Sequence, residues 1–173
     1  MNKIHIILLT LILSACSSSS KRPVDNVYYR FPEASILPIQ SLNVEVKRPS
    51  ALGILGNRPM VVQTENNGLV QMSNNFWLES PKVLLQNYLT DIFITNKDKP
   101  LLTLNSQILA LEKKQDQALL SIKFSMTDSE GLIIFDKTYN KQKRMTNSSI
   151  AAFSSATASL LEEMIKQLSI DIQ

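Results

Sequence analysis

The stretch Gln117-Ala-Leu-Leu-Ser-Ile-Lys-Phe-Ser-Met-Thr127 sets Ala118, Leu120, Ile122, Phe124 and Met126 on one side of an extended chain. Ser121, Lys123 and Ser125 fall on the other side, with Leu119 the exception. Alternation with period two is what a strand needs when one face is buried and the other wet. Upstream, Leu101–Leu111 predicts another long strand. Downstream, Asp128-Ser-Glu-Gly131 is a turn with glycine where a left-handed residue is wanted. Leu132–Asn140 then returns as the next strand. Three consecutive strands joined by short turns predict an antiparallel meander.

A helix is predicted on each side of this meander. Before it, Ser80 is placed to cap a helix and Pro81 is preorganised for the first helical turn. Leu85, Tyr88, Leu89, Ile92 and Phe93 follow at the spacing of one helix face, and the helix should stop near Asn96. After the meander, a basic connection Lys141-Gln-Lys-Arg144 leads to Asn147 as a helix cap. Ile150, Phe153, Thr157, Leu161, Met164, Ile165 and Leu168 then recur at helical spacing, among alanines that favour the helix.

The first half reads as shorter strands. Asn26–Phe31 and Ile39–Val46 are two, the second alternating Leu42, Val44 and Val46 with Asn43 and Glu45. Met60–Thr64 and Leu69–Met72 flank Asn67-Gly68, a strong hairpin signal because both residues tolerate positive φ. The connection around Gly53 and Gly56 carries Leu52, Ile54 and Leu55, which either cap the core or form an exposed contact patch. Strands, helix, strands, helix, with one apolar face on each helix, predict an α+β domain. Its two layers are one mainly antiparallel sheet and two helices packed on one of its faces.

Composition narrows the function. The chain has 173 residues and a formal charge of +3, too balanced for a nucleic-acid surface. Its one cysteine is Cys16 and its one histidine is His5. No intrachain disulfide forms, and downstream of Cys16 the commonest general base and metal ligand is missing. Ser148-Ser149 and Ser154-Ser155 would need a buried lysine as base to act as nucleophiles. No phosphate-binding glycine loop is present. The expectation is a non-enzymatic protein without cofactor or metal.

Lys3 precedes an apolar run, Ile4–Leu13, far short of the ~20 residues that cross a bilayer. Leu13-Ser-Ala-Cys16 follows, then polar Ser17–Arg22. This order resembles a bacterial lipoprotein signal with its lipobox. Residues 1–15 are then a signal peptide, and 16–24 are a lipidated cysteine with a flexible tether. A domain at 25–173 is held by lipid on the periplasmic side of the outer membrane, the sorting that Ser17 after the cysteine implies. An ordinary secretory signal cut after Ala15 is the plainer reading. Seven tether residues reach about 15 Å as a flexible coil.

Further motifs add to this. Arg58-Pro-Met-Val-Val-Gln-Thr64, Asn75-Phe-Trp77, Ser80-Pro81 and a helix opening Val83-Leu-Leu85 stand in sequence. This ordered set resembles the ABC-type transport auxiliary lipoproteins of the PqiC/YmbA kind, and with the lipobox it covers nearly the whole chain. Phe76 departs from the pattern, standing where a polar or basic residue is common. The resemblance implies an accessory docking or adaptor lipoprotein. Its partner is an MCE-domain protein of an ABC-type lipid transport system serving envelope lipid trafficking and membrane integrity. A structural lipoprotein of outer-membrane biogenesis or lipopolysaccharide assembly is the alternative. Trp77 is either a partner contact or a cover for the core edge, and Leu52, Ile54 and Leu55 are the other candidate contacts. Arg58 and Lys141–Arg144 read first as solvated charges.

Overall fold

The computed structural model describes residues 24–31, 38, 39 and 41–172. The signal at 1–15, Cys16 and nearly all of the tether lie outside the described residues. The architecture is α+β, a mixed sheet with two helices.

The meander forms as its alternation requires. Strands β6 (Leu101–Lys114), β7 (Gln117–Thr127) and β8 (Ile133–Arg144) pair antiparallel in sequence order. The far edge of β6 carries three short strands end to end, all parallel to it. β2 (Asn43–Val46) pairs with Leu101–Leu104, β3 (Ser50–Ala51) with Gln107–Ile108, and β4 (Pro59–Gln63) with Lys113–Lys114. Beyond β4 lie antiparallel β5 (Leu69–Trp77) and then β1 (Val27–Tyr29), parallel to β5. The order among the described strands is therefore β1-β5-β4-β6-β7-β8, with β2 and β3 also docked on β6. The long ladders are antiparallel, and the parallel contacts are short.

Helix α1 (Pro81–Ile92) starts as its sequence dictates: the Ser80 side chain accepts from the Val83 amide, and Pro81 occupies the first turn. It ends at Ile92, short of Asn96, and Phe93 instead bridges to Ile39. Helix α2 (Ile150–Asp171) is capped by Ser149, whose Oγ accepts from the Ala152 amide at 3.1 Å. Asn147, the expected cap, accepts from the Ser149 amide at 2.9 Å and sets the approach to the helix.

Both helices lie on one face of the sheet. Leu85, Tyr88, Leu89 and Ile92 of α1 share a single core with Phe153, Leu161, Met164, Ile165 and Leu168 of α2. Leu104, Ile108, Leu111, Leu120, Ile122, Phe124 and Met126 supply the sheet side. The two helices also border one cleft, lined by Leu84, Tyr88, Ser154 and Ser155.

Several boundaries differ from the sequence expectation. The second strand begins at Asn43, and Ile39 makes only an isolated bridge. Lys141–Arg144 is no connection but the last third of β8, where its cations find partners: Lys143 lies 3.6 Å from Glu163 of α2, and Arg144 2.8 Å from Asp116. Gly53–Gly56 is a 3-10 turn. At Gly56 an added Cβ would stand 3.2 Å from the Ala51 side chain, so the close approach calls for glycine. Two turns behave as read: Asn67 takes φ 60° in the β4–β5 hairpin, and Gly131 takes φ 84° between β7 and β8.

Candidate functional site

Arg58 and Trp77, from two of the motifs set out above, meet in one place. The Trp77 amide donates to the Arg58 carbonyl at 2.7 Å, and Arg58 Nε donates back to the Trp77 carbonyl at 3.3 Å. The guanidinium also sits 5.3 Å from the centre of the Tyr28 ring, a cation–π distance. Tyr28 in turn stacks on Phe76 at 5.5 Å. Arg58 is therefore an exposed strand-end arginine, as read, that also straps the start of β4 to β5 and β1.

Trp77 points the other way. It is 1% exposed and packs edge-on to Phe31 and tilted against Phe153. Of the two readings open for it, the structure gives the core cover. Leu55, at 3% exposed, also belongs to the core, and Ile54 is half-buried against it. Leu52 alone of the four candidate contacts presents a large exposed side chain, at 50%. Burial thus removes Trp77 and Leu55 from the candidate contact surface.

A second exposed apolar group was not singled out by the sequence. Thr103 pairs with Thr127 and Thr127 with Ile133, so the start of β6, the end of β7 and the start of β8 share one end of the sheet. Leu101, Leu132, Ile133 and Ile134 are all exposed at that end, with Ile133 60% open to solvent. Three consecutive exposed aliphatics on an edge strand are unusual unless something covers them. The run Leu132-Ile133-Ile134 is visible in the sequence, but a returning strand alone does not show which of its residues stay exposed.

The face of the sheet opposite the helices is polar and uncovered by any described element, yet part of it is buried. Leu111 pairs with Leu120 on the core face, so Glu112 and its partner Leu119 point to the opposite face. The register continues the row: Val61 pairs with Gln71 on one side, and Leu119 with Gln142 on the other. Because Val62 pairs with Lys113, Val61 comes beside Glu112. Glu112 is 7% exposed as a whole residue, and its carboxylate, bonded by no described residue, keeps its contact with solvent. Burial pushes its carboxyl above the ordinary carboxylate range, and Lys114 offsets this only in part. In the same rows, Gln63 Oε1 and Gln71 Nε2 are buried without partners. Alongside runs an open groove of about 300 Å³ lined by Ala110, Leu119, Ser121, Asn140 and Gln142. Ser121 and Asn140 bond to each other across it at 2.6 Å.

Elsewhere Asn43 Oδ1, Ser106 Oγ and Thr157 Oγ1 are also buried without partners. Ser149 caps α2. Among the described residues no group of three His, Cys, Asp or Glu side chains is placed to hold a metal ion. No helix among them is long and apolar enough to cross a membrane.

No protein-family model matches the chain. No curated protein matches it. Solved structures share its fold. A crystal structure of an uncharacterized protein superposes with a TM-score of 0.74 at 14% identity, covering 87% of this chain and all of that one. Protein XCC0632 from Xanthomonas campestris, described under the family label DUF330, gives a TM-score of 0.72 at 14% identity. That match covers 83% of this chain and 92% of the other.

Proposed function

We propose that this protein is an accessory docking lipoprotein, anchored through Cys16 at the periplasmic face of the outer membrane. Its partner is the MCE-domain component of an ABC-type lipid transport system. The carrying observation is the convergence of Arg58, Trp77 and the Ser80 cap. Arg58 and Trp77 of the resembling motifs bond to each other, Arg58 reaches Tyr28 of β1, and Ser80, three residues after Trp77, caps α1. The solved folds of the same class agree with a single domain of this shape. An anchored domain gains from high local concentration, so a modest contact surface is enough for docking. Two surfaces suit that role: Leu52, and the Leu101, Leu132–Ile134 end of the sheet.

The test is crosslinking in cells from photoreactive residues at Leu52 and Ile133. Recovery of an MCE-domain protein is expected. Recovery of outer-membrane barrel or lipopolysaccharide-assembly proteins alone would replace this reading with the biogenesis alternative.

A further inference from the structure

We infer that the end of the sheet from which the chain enters, the β4–β5 hairpin with the last rows of β6, is a contact surface for the headgroups of an anionic lipid bilayer. The inference rests on the reading of Cys16 as the lipidated residue and adds the orientation of the domain on its membrane.

The register assembles this end. Leu69 pairs with Gln63, Gln63 with Lys114, Lys114 with Gln117 and Gln117 with Arg144, so one row crosses β5, β4, β6, β7 and β8. Val70 and Lys113 share the next row through Val62. The N-terminus arrives from the same side. β1 runs parallel to β5, whose first residue is Leu69, so the chain reaches Val27 from the hairpin end. The Val24 carbonyl accepts from Asn74 Nδ2 of β5 at 3.2 Å, which fixes where the tether joins the domain. That tether, read in the sequence as a flexible coil, reaches about 15 Å. β6 is 14 residues long. At the rise of a strand, the opposite end of the sheet therefore stands about 40 Å away.

The side chains suit a lipid surface. Neighbouring residues of a strand point to opposite faces, yet Leu69 is 39% and Val70 55% exposed, so the hairpin end stands clear of the core on both sides. Val24 and Val27 are exposed beside β5. Aliphatic groups on a projecting tip gain by entering the boundary between headgroups and acyl chains. Cations stand behind them. Arg144 is bound to Asp116, and Lys143 lies by Glu163. Lys113 and Lys114 form no ion pair among the described residues: Lys113 Nζ donates to the Gln115 carbonyl, and Lys114 acts on Glu112 only at longer range. Glu65 in the β4–β5 turn stands against them, while Lys21 and Arg22 precede the described chain. Basic residues beside a lipid anchor are drawn to anionic headgroups. The other end of the sheet differs in sign. There Lys97 and Lys99 are outnumbered by Asp98, Asp128 and Glu130. Its exposed Leu132–Ile134 group is thereby turned away from the bilayer and left open to a protein partner.

The experiment uses the full lipidated protein, reconstituted into vesicles of phosphatidylethanolamine with phosphatidylglycerol and into vesicles of phosphatidylcholine alone. Cys16 is the chain's one cysteine and lipidation consumes its thiol, so Val70→Cys, or Ile133→Cys as control, carries the one free thiol for an environment-sensitive fluorophore. Both positions are exposed, so the label displaces no core. In the anionic vesicles the Val70 label should lose quenching by aqueous iodide and gain quenching by spin-labelled lipid. The Ile133 label should do neither. Lys113→Gln with Lys114→Gln should restore iodide quenching at Val70. Flotation with the vesicles is measured on the same samples. Protein that fails to float removes the lipid anchor, and the inference with it. Protein that floats while the Val70 label stays open to iodide overturns the inference and leaves the anchor standing. Equal lipid quenching at Ile133, or equal quenching in phosphatidylcholine, overturns it too. So does a Val70 label shielded from iodide without lipid quenching, the mark of a protein partner or a second copy.

Discussion

The hydroxyl of Tyr139 donates to Oδ2 of Asp171, joining the middle of β8 to the last turn of α2. Lys137 Nζ reaches the same oxygen at 2.6 Å, and Gln167 donates to the other at 3.0 Å. These donors hold the Asp171 carboxyl down at about 2, below its ordinary 3.8. Burial, and then the same bond, push the Tyr139 hydroxyl up. A carboxyl depressed in the folded state contributes stability that is fully present above its unfolded value. It is lost as pH falls from 3.8 toward about 2. Thermal melting of the parent and of Asp171→Asn across that window should show a shallower acid loss in the variant. Tyr139→Phe should lower the melting temperature at neutral pH, and the gap should close at the acid end.

Glu112 carries the opposite sign. Its carboxyl is raised, so the folded state holds a proton that the unfolded state releases, and stability declines as pH rises through the folded value. Glu112→Gln should therefore be more stable than the parent at neutral pH. The difference should vanish at pH values below the ordinary 4.5 of the carboxyl. Urea denaturation at three pH values checks the sign.

Leu89 is fully buried between the helices and the sheet. Leu89→Ala should cost about 2–5 kcal/mol by equilibrium unfolding. Leu52→Ser, on the exposed turn, should stay within about 0.5 kcal/mol of the parent. Crosslinking to the proposed partner should nevertheless fall in that variant, separating contact from folding.

Mass spectrometry of the mature N-terminus should find Cys16 acylated. Cys16→Ala should leave the protein unprocessed or released from membranes, because one apolar run of this length does not span a bilayer.

Periodicity carried the parts of this fold that depend on local chemistry. The alternation of Ala118 to Met126 and the Ser80-Pro81 start of α1 stand where the sequence placed them. Pairing partners are another matter. Nothing in Asn43–Val46 or Pro59–Gln63 says that both dock parallel on β6, because strand pattern fixes a face and leaves the neighbour open. Lys141–Arg144 reads as a basic connection because its charge hides the strand, and its pairing with Gln117–Leu120 of β7 is what keeps it extended. Trp77 was balanced between surface and core, and Phe31 and Phe153 decide it. Glu112 lay one residue beyond the expected end of its strand. Its neighbours on that face come from strands whose register a single stretch of sequence does not reveal.

The three parallel strands along one edge of β6 govern the order in which the chain can fold. Asn43 bonds to the carbonyl of Lys99, 56 positions ahead, so β2 and β3 have no mate, and β4 only its hairpin partner β5, until β6 has been delivered. Contacts this distant in sequence form slowly, whereas the β6–β8 meander closes through tight local turns. A chain emerging from its N-terminus therefore spends its first hundred residues with open strand edges and an uncovered core, and α2 seals the hydrophobic face last of all. During that interval it is a natural client for a holding chaperone.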